Sequence, residues 1–248
     1  MIVFVGAGPG APDLITLRGQ RALSDADVVV YAGSLVNPAL LDFCREGCSI
    51  HNSAGMTLEE VVEVMVEAAT AAKKVVRLHT GDPSLYGAIR EQMDALDRHG
   101  LPYTIVPGVS SFLGAAASLR AEFTLPGVSQ TLILTRMEGR TPVPASEDIA
   151  ALASHQASMS IFLSASMLEK LGARLLAGGY RPDTPAAVVY KATWADEQVV
   201  RTTVAGLSAV QGIGKTALVL VGDFLGGSYE RSRLYDPAFS HEFRKGVE

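Results

Sequence analysis

Short apolar runs alternate with stretches of helical periodicity through the first half of the chain. Ile2 to Val5, Val28 to Tyr31, Val75 to His79 and Thr104 to Val106 carry apolar residues on consecutive rather than alternate positions. Such runs predict strands buried on both faces, the sequence form of a parallel sheet built from βαβ units. Between them Leu58, Val61, Val62, Met65 and Ala69 recur at helical spacing. Thr57 and Glu60 make a capping box at the start of that helix.

The pattern breaks between Leu119 and Gly127, where the stretch Arg120 to Leu125 fits neither period and Pro126-Gly127 closes it. A domain boundary is expected there, giving a first domain over residues 1–118 and a second over 128–226. Thr131 to Leu134, Met159 to Leu163, Ala186 to Tyr190, Gln198 to Thr203 and Ala217 to Val221 read as strands of the second domain. Helices fit between several of them, one opening on Ser166 and Glu169 as a second capping box. Residues 186–190 and 198–203 lie too close in sequence for a crossover helix, so they should pair as an antiparallel hairpin. The expected fold is therefore two α/β domains, the first with a mostly parallel sheet and the second with a mixed one. The polar segment 227–248 reads as a peripheral tail.

Composition narrows the function classes. With 48% apolar and 19% charged residues in 248, the chain is a folded protein rather than a disordered one. Its 26 Asp and Glu against 21 Lys and Arg leave a net charge of −5, which disfavours a general nucleic-acid or anionic-membrane surface. No apolar run approaches the roughly 18 residues of a membrane span, and the N-terminus has no signal-peptide pattern. The expected location is cytoplasmic. Cys44 and Cys48 read as reduced structural cysteines, and no Cys or His cluster has metal-ligand spacing, so no metal is expected.

The glycines are unevenly spread. Gly6-Ala7-Gly8-Pro9-Gly10-Ala11 follows the first strand and formally satisfies the Gly-x-Gly-x-x-Gly/Ala dinucleotide fingerprint. Pro9, however, removes an N–H where a phosphate cradle needs donors. The second strand also ends Tyr31-Ala32-Gly33, without the carboxylate that would hold a ribose. A second loop, His79 to Gly87, lies at a strand's carboxyl end, where open α/β sheets bind ligands. In it Asp82 could accept hydrogen bonds from a ligand or cap a helix beginning near Leu85. A third loop, Pro107-Gly108-Val109-Ser110-Ser111, opens a small-residue helix, and its hydroxyls could cap that helix or bind a ligand carboxylate. His79 reads as a satisfied strand-end side chain.

The order Val5-Gly6-Ala7-Gly8-Pro9-Gly10-Ala11-Pro12-Asp13-Leu14-Ile15-Thr16, then Gly81 to Gly87, then Pro107 to Ser111, resembles the tetrapyrrole methyltransferases of cobalamin and sirohaem synthesis. The resemblance covers nearly the whole chain. Within the family, Tyr31 to Val36, Ile133 to Pro142 and Val189 to Trp194 are similar to the branch that methylates precorrin-4 at C-11, on a metal-free or cobalt-bound acceptor. The resemblance implies S-adenosylmethionine in the cleft between two domains, S-adenosylhomocysteine as product, and a homodimer. Carried over by motif, it implies cofactor contacts from Pro9, Thr80, Gly81, Asp82, Leu85, Ser110 and Ser111 in the first domain. Leu163, Ala192 and Ala217 would contribute from the second.

Two departures stand out. Relatives that methylate uroporphyrinogen place a proposed acid/base Asp where this chain has Ala32, and Gly where it has Ala192. Corrin precursors carry many carboxylates, which Arg forks bind bidentately. Arg90, Arg136, Arg140 and Lys191 are the candidates for that role, while Tyr86 and Glu138 are candidates for taking a proton from the macrocycle. Trp194 could stack on the macrocycle or fill a core. Other functions carried forward are an RNA methyltransferase of the same fold, which should show a basic face, and a non-catalytic carrier of a tetrapyrrole or adenosyl ligand.

Overall fold

The computed structural model describes residues 1–247. By contact density they divide into two compact units. The first comprises Met1–Ala115 together with Lys191–Glu197; the second comprises Ala116–Tyr190 and the chain from Gln198 onward.

The first unit holds β1 (Ile2–Gly6), α1 (Leu17–Ser24), β2 (Val28–Tyr31), β3 (Ser49–Asn52), α2 (Leu58–Thr70), β4 (Val75–His79), α3 (Ile89–Arg98), β5 (Tyr103–Val106) and the start of α4 (Ser111–Leu119). Its five strands are all parallel, in the order β3-β2-β4-β1-β5. Consecutive apolar residues serve both faces. Ile2, Phe4, Val28 and Val30 pack under α2 and α3, while Val5, Val29, Val76 and Leu78 pack on the opposite face with Leu23 and Leu40. The Thr57–Glu60 capping box is formed, with both reciprocal bonds present. β3 carries no apolar pattern, since Ser49, Ile50 and Asn52 are exposed on this edge strand, and its existence is set by pairing with β2.

The second unit contains β6 (Leu132–Arg136), α5 (Ile149–Ala153), β7 (Ser158–Phe162), α6 (Leu168–Ala177), β8 (Pro185–Tyr190), β9 (Gln198–Thr203) and β10 (Ala217–Val221). The sheet order is β6-β7-β10-β8-β9, with β6 and β7 parallel and the other pairs antiparallel. The sheet is mixed, and β8 and β9 form the expected hairpin. Its core gathers Met159, Ile161, Leu171, Leu175, Val188, Leu207 and Val219.

Two helix starts differ from the sequence pattern. No capping box forms at Ser166, because Ala165–Met167 is a 3-10 turn and α6 begins at Leu168 without a side-chain cap. α3 begins at Ile89 rather than near Leu85, preceded by Ala88 in the left-handed region. The tail beyond Gly227 is mostly exposed but not shapeless. Arg244 donates to the carbonyls of Leu234, Asp236 and Phe239, folding the segment on itself. Cys44 and Cys48 are free thiols packed at the edge of a core cluster, and burial pushes Cys44 up to about 11. No helix among the described residues is long and apolar enough to cross a membrane.

Candidate functional site

A parallel sheet delivers all its strand ends to one edge, and three loops meet there in the first unit. β1 runs into the Gly6–Ala11 turn, β4 into Thr80–Ala88, and β5 into Pro107–Ser110. Their backbones touch. A Cβ on Gly6 would lie 2.6 Å from Gly108 Cα and from Gly81 O, and one on Gly108 would lie 2.7 Å from Gly6 Cα. Only glycine allows that approach. Gly8 and Gly81 exchange both backbone bonds as an isolated antiparallel bridge, at 3.2 and 2.9 Å.

Asp82 joins the second loop to the third. One carboxylate oxygen accepts from Gly108 N–H at 2.8 Å, and the other accepts from Ser84 N–H at 2.9 Å and from the Ser84 hydroxyl. Burial alone would raise its pKa, but these hydrogen bonds outweigh it and hold the carboxyl below the ordinary 3.8. Asp82 therefore closes an Asx turn within the loop instead of capping a helix near Leu85. The loop leaves through Tyr86 and Ala88, both at positive φ (55° and 48°). A buried relay holds its end: Gln92 Nε2 donates to Ala88 O, and Arg77 Nε donates to Gln92 Oε1. Arg77 also donates to Val30 O, and burial lowers its pKa to about 10.

His79, read from sequence as satisfied, has an unpartnered Nε2. It stacks on Phe4 with ring centroids 6.1 Å apart, and burial, aided by the Arg77 charge, pushes it down to about 3. The strand places it against an aromatic neighbour instead of a polar one, which its neighbours in sequence do not reveal.

The structure gathers Pro9, Thr80, Gly81, Asp82, Leu85, Ser110 and Ser111 on these three loops. A Cβ on Gly81 would sit 3.4 Å from Ser111 N and 3.5 Å from Ser110 Cα, so the start of α4 lies against the second loop. Ala192, assigned by sequence order to the second domain, instead belongs to the first unit, and its carbonyl lies 2.8 Å from where a Cβ on Gly10 would stand. Lys191 pairs with Asp196 at 2.6 Å and lies over the Trp194 ring at 5.0 Å. Trp194 is half-buried. Its indole N–H donates to Pro9 O at 3.3 Å, and its edge lies against Gly10. Arg90 is exposed at the start of α3 and pairs with Asp94 at 2.8 Å.

The remaining candidates lie in the second unit. β6 and β7 end together and β10 begins beside them, which puts Arg136, Leu163 and Ala217 at one edge of the mixed sheet. The buried Ser164 hydroxyl ties the strand exits by accepting from Met137 N–H at 3.0 Å and donating to Phe162 O at 2.7 Å. Leu163 protrudes next to it, 57% exposed at φ 53°. Arg136 donates to the carbonyls of Met137, Thr141 and Pro142, folding the 137–142 loop, which exposes Glu138 and Arg140.

Sequence reasoning missed Thr193, Asn37 and the Arg77–Gln92 relay. The lone tryptophan in a polar loop, Thr193-Trp194-Ala195-Asp196, was the available signal for the first of these.

Comparison with known proteins adds the following. The family model described as tetrapyrrole (corrin/porphyrin) methylases matches residues 1–208. The cobalt-precorrin-4 C(11)-methyltransferase of Methanocaldococcus jannaschii is 54% identical, over 98% of this chain and 96% of that protein. The precorrin-4 C(11)-methyltransferase of Pseudomonas aeruginosa is 44% identical over 99% of both chains. Among solved structures, a cobalt precorrin-4 methyltransferase superposes with a TM-score of 0.89 at 48% identity, covering 91% of this chain and 96% of that one. A Thermus thermophilus uroporphyrin-III C-methyltransferase complexed with S-adenyl homocysteine gives 0.78 at 26% identity, covering 91% and 93%.

Proposed function

The chain belongs to the tetrapyrrole (corrin/porphyrin) methylase family, and from that premise we propose that it transfers a methyl group from S-adenosylmethionine to C-11 of precorrin-4. The observation that carries the proposal is 44–54% identity, over essentially full length, to proteins named for that reaction.

The first unit's loops fit the cofactor by their chemistry. Residues 5–11, 80–87 and 107–114 contain no Lys, Arg or His and a single carboxylate, Asp82. A pyrophosphate would find neither a cation nor, at Pro9, an N–H. A cationic cofactor without phosphate is suited to such a lining. Glycine-only contact between Gly6 and Gly108 packs the three loops tightly against one another. Pro9, Thr80, Gly81, Asp82, Leu85, Ser110, Ser111 and Ala192 would hold the cofactor, with Leu163 and Ala217 as further contacts.

When bound, the cofactor supplies an electrophilic methyl on a sulfonium, which passes to the ring carbon as the S–C bond breaks and leaves the neutral thioether. Positive charge disappears in that displacement, so the protein's task is alignment rather than charge creation. The Asp82 carboxylate serves it by fixing the second loop to the third. Arg140, Arg136, Arg90 and Lys191 are the candidate partners of the substrate's carboxylates. Arg140 is exposed on the 137–142 loop, whereas Arg136 already holds three carbonyls. Tyr86 and Glu138 are the candidate acceptors for the proton that leaves the macrocycle. Action as a cytoplasmic homodimer is part of the proposal and rests on the resemblance alone.

A second form of the proposal takes cobalt-precorrin-4 as acceptor, and the higher identity to the protein named for it favours this form. Turnover of the metal-free and cobalt-bound acceptors, measured side by side as S-adenosylhomocysteine released, separates the two. Release with neither acceptor would contradict both.

A further inference from the structure

The Gly6–Ala11 turn does not hold its own shape. Its inner half is tied to β4 and the second loop: Ala7 N–H donates to His79 O, and Gly8 exchanges both bonds with Gly81. Among the described residues the outer half has no such backbone partner for three groups, and side chains from elsewhere supply them. Trp194 Nε1–H donates to Pro9 O, Asn37 Nδ2–H donates to Gly10 O at 2.9 Å, and Ala11 N–H donates to Thr193 Oγ1 at 3.0 Å. Buried backbone groups left without partners would cost the turn its conformation.

The segment that reaches in is itself built to hold that position. Lys191 and Thr193 both have positive φ, 48° and 70°. For β-branched Thr193 this is a true outlier, retained against its steric cost. Glu197 accepts from Thr193 N–H, and Lys191 caps the indole face while paired with Asp196. On the far side, a Cβ on Gly114 of α4 would come within 2.6 Å of Pro9 Cβ and 3.4 Å of Thr193 Cγ2. Thr193 and Pro9 thus share one packed contact at the start of α4.

We infer that Thr193 and Trp194, seconded by Asn37, are positioning residues that set the Gly6–Ala11 turn for the cofactor, acting through Pro9 and Ala11 rather than touching the reacting atoms. This inference rests on the cofactor reading above. It predicts that losing one of these hydrogen bonds weakens S-adenosylhomocysteine binding by roughly three- to tenfold, the weight of one net bond.

The test is calorimetric titration of the full chain with S-adenosylhomocysteine, alongside emission from Trp194, the only tryptophan. Thr193→Val keeps the branched shape and removes the acceptor, Thr193→Ser keeps the acceptor, and Trp194→Phe keeps a ring without the N–H. The expected result is a Trp194 emission change on titrating the unmodified chain, weaker binding in Thr193→Val and Trp194→Phe, and restored binding in Thr193→Ser. Rescue by Ser separates positioning from general destabilisation. Binding by Thr193→Val as tight as that of the unmodified chain would overturn the inference and leave the cofactor reading standing. No binding by the unmodified chain would overturn both.

Discussion

Gly6 and Gly108 are positions where a single methyl group would meet main chain. Each would direct a Cβ at main-chain atoms of another loop, and main chain cannot swing aside as a side-chain tip can. Gly108→Ala should therefore cost about 1–3 kcal/mol or more, read by urea denaturation, and should abolish S-adenosylhomocysteine binding. Unchanged stability would mean the loops part easily. Asp82 and Arg140 should divide by ligand. Asp82→Ala, which removes the tie between Gly108 and Ser84, should weaken S-adenosylhomocysteine far more than Arg140→Ala, while Arg140→Ala should raise the KM of the tetrapyrrole. Equal effects of the two variants on both ligands would show that the assigned roles are wrong. The glycines were visible in sequence as an uneven cluster, and their motif resembled a nucleotide turn. What sequence could not show is that the outer half of the turn is completed by side chains far from it in sequence, from Asn37, Thr193 and Trp194.

At the scale of elements, β4 shows how a strand ending in polar residues can remain core. Arg77 and His79 alternate with Val76 and Leu78, and all four are buried. Arg77 finds Gln92 Oε1 and Val30 O, while His79 lies neutral against Phe4. Folded His79 resists protonation down to about 3, whereas the unfolded chain takes up that proton near 6.5. The unfolded state therefore binds more protons in that interval, and stability should fall as pH drops from 6.5 toward 3. His79→Gln should flatten the upper part of that slope, between pH 6.5 and 5, in denaturant titrations; an unaltered slope would mean another group carries it. Helix periodicity with a capping box located α2, since both signals agree there. At Ser166 the same residue spacing failed, because Ala165–Met167 coils into a 3-10 turn and α6 starts beyond it. β3 was illegible because an exposed edge strand needs no apolar pattern.

For the molecule as a whole, the alternation of apolar runs was enough to foretell one parallel and one mixed sheet, because burial on both faces and a short hairpin connection leave their marks in sequence. The place of Lys191–Glu197 in the first unit was not legible, since no local pattern tells a loop which sheet's strand ends it will serve. The net charge of −5 describes the chain as a whole; taken separately, the glycine loops of the first unit carry no cation, and the 137–142 loop of the second exposes Arg140. A ligand that binds only the folded state raises the unfolding midpoint. S-adenosylhomocysteine at 100 times its Kd should add about 2.7 kcal/mol at 25 °C, while NAD should leave thermal unfolding unchanged; protection by NAD alone would restore the dinucleotide reading of Gly6–Ala11. The most direct measurement incubates the purified chain with methyl-labelled S-adenosylmethionine and the precorrin-4 acceptor in both its metal-free and cobalt-bound forms, then locates the label in the product by NMR. The prediction is one added methyl group, on C-11, with one S-adenosylhomocysteine formed per methyl transferred. Label at another ring carbon, or no label in either product while S-adenosylhomocysteine still binds, would contradict it.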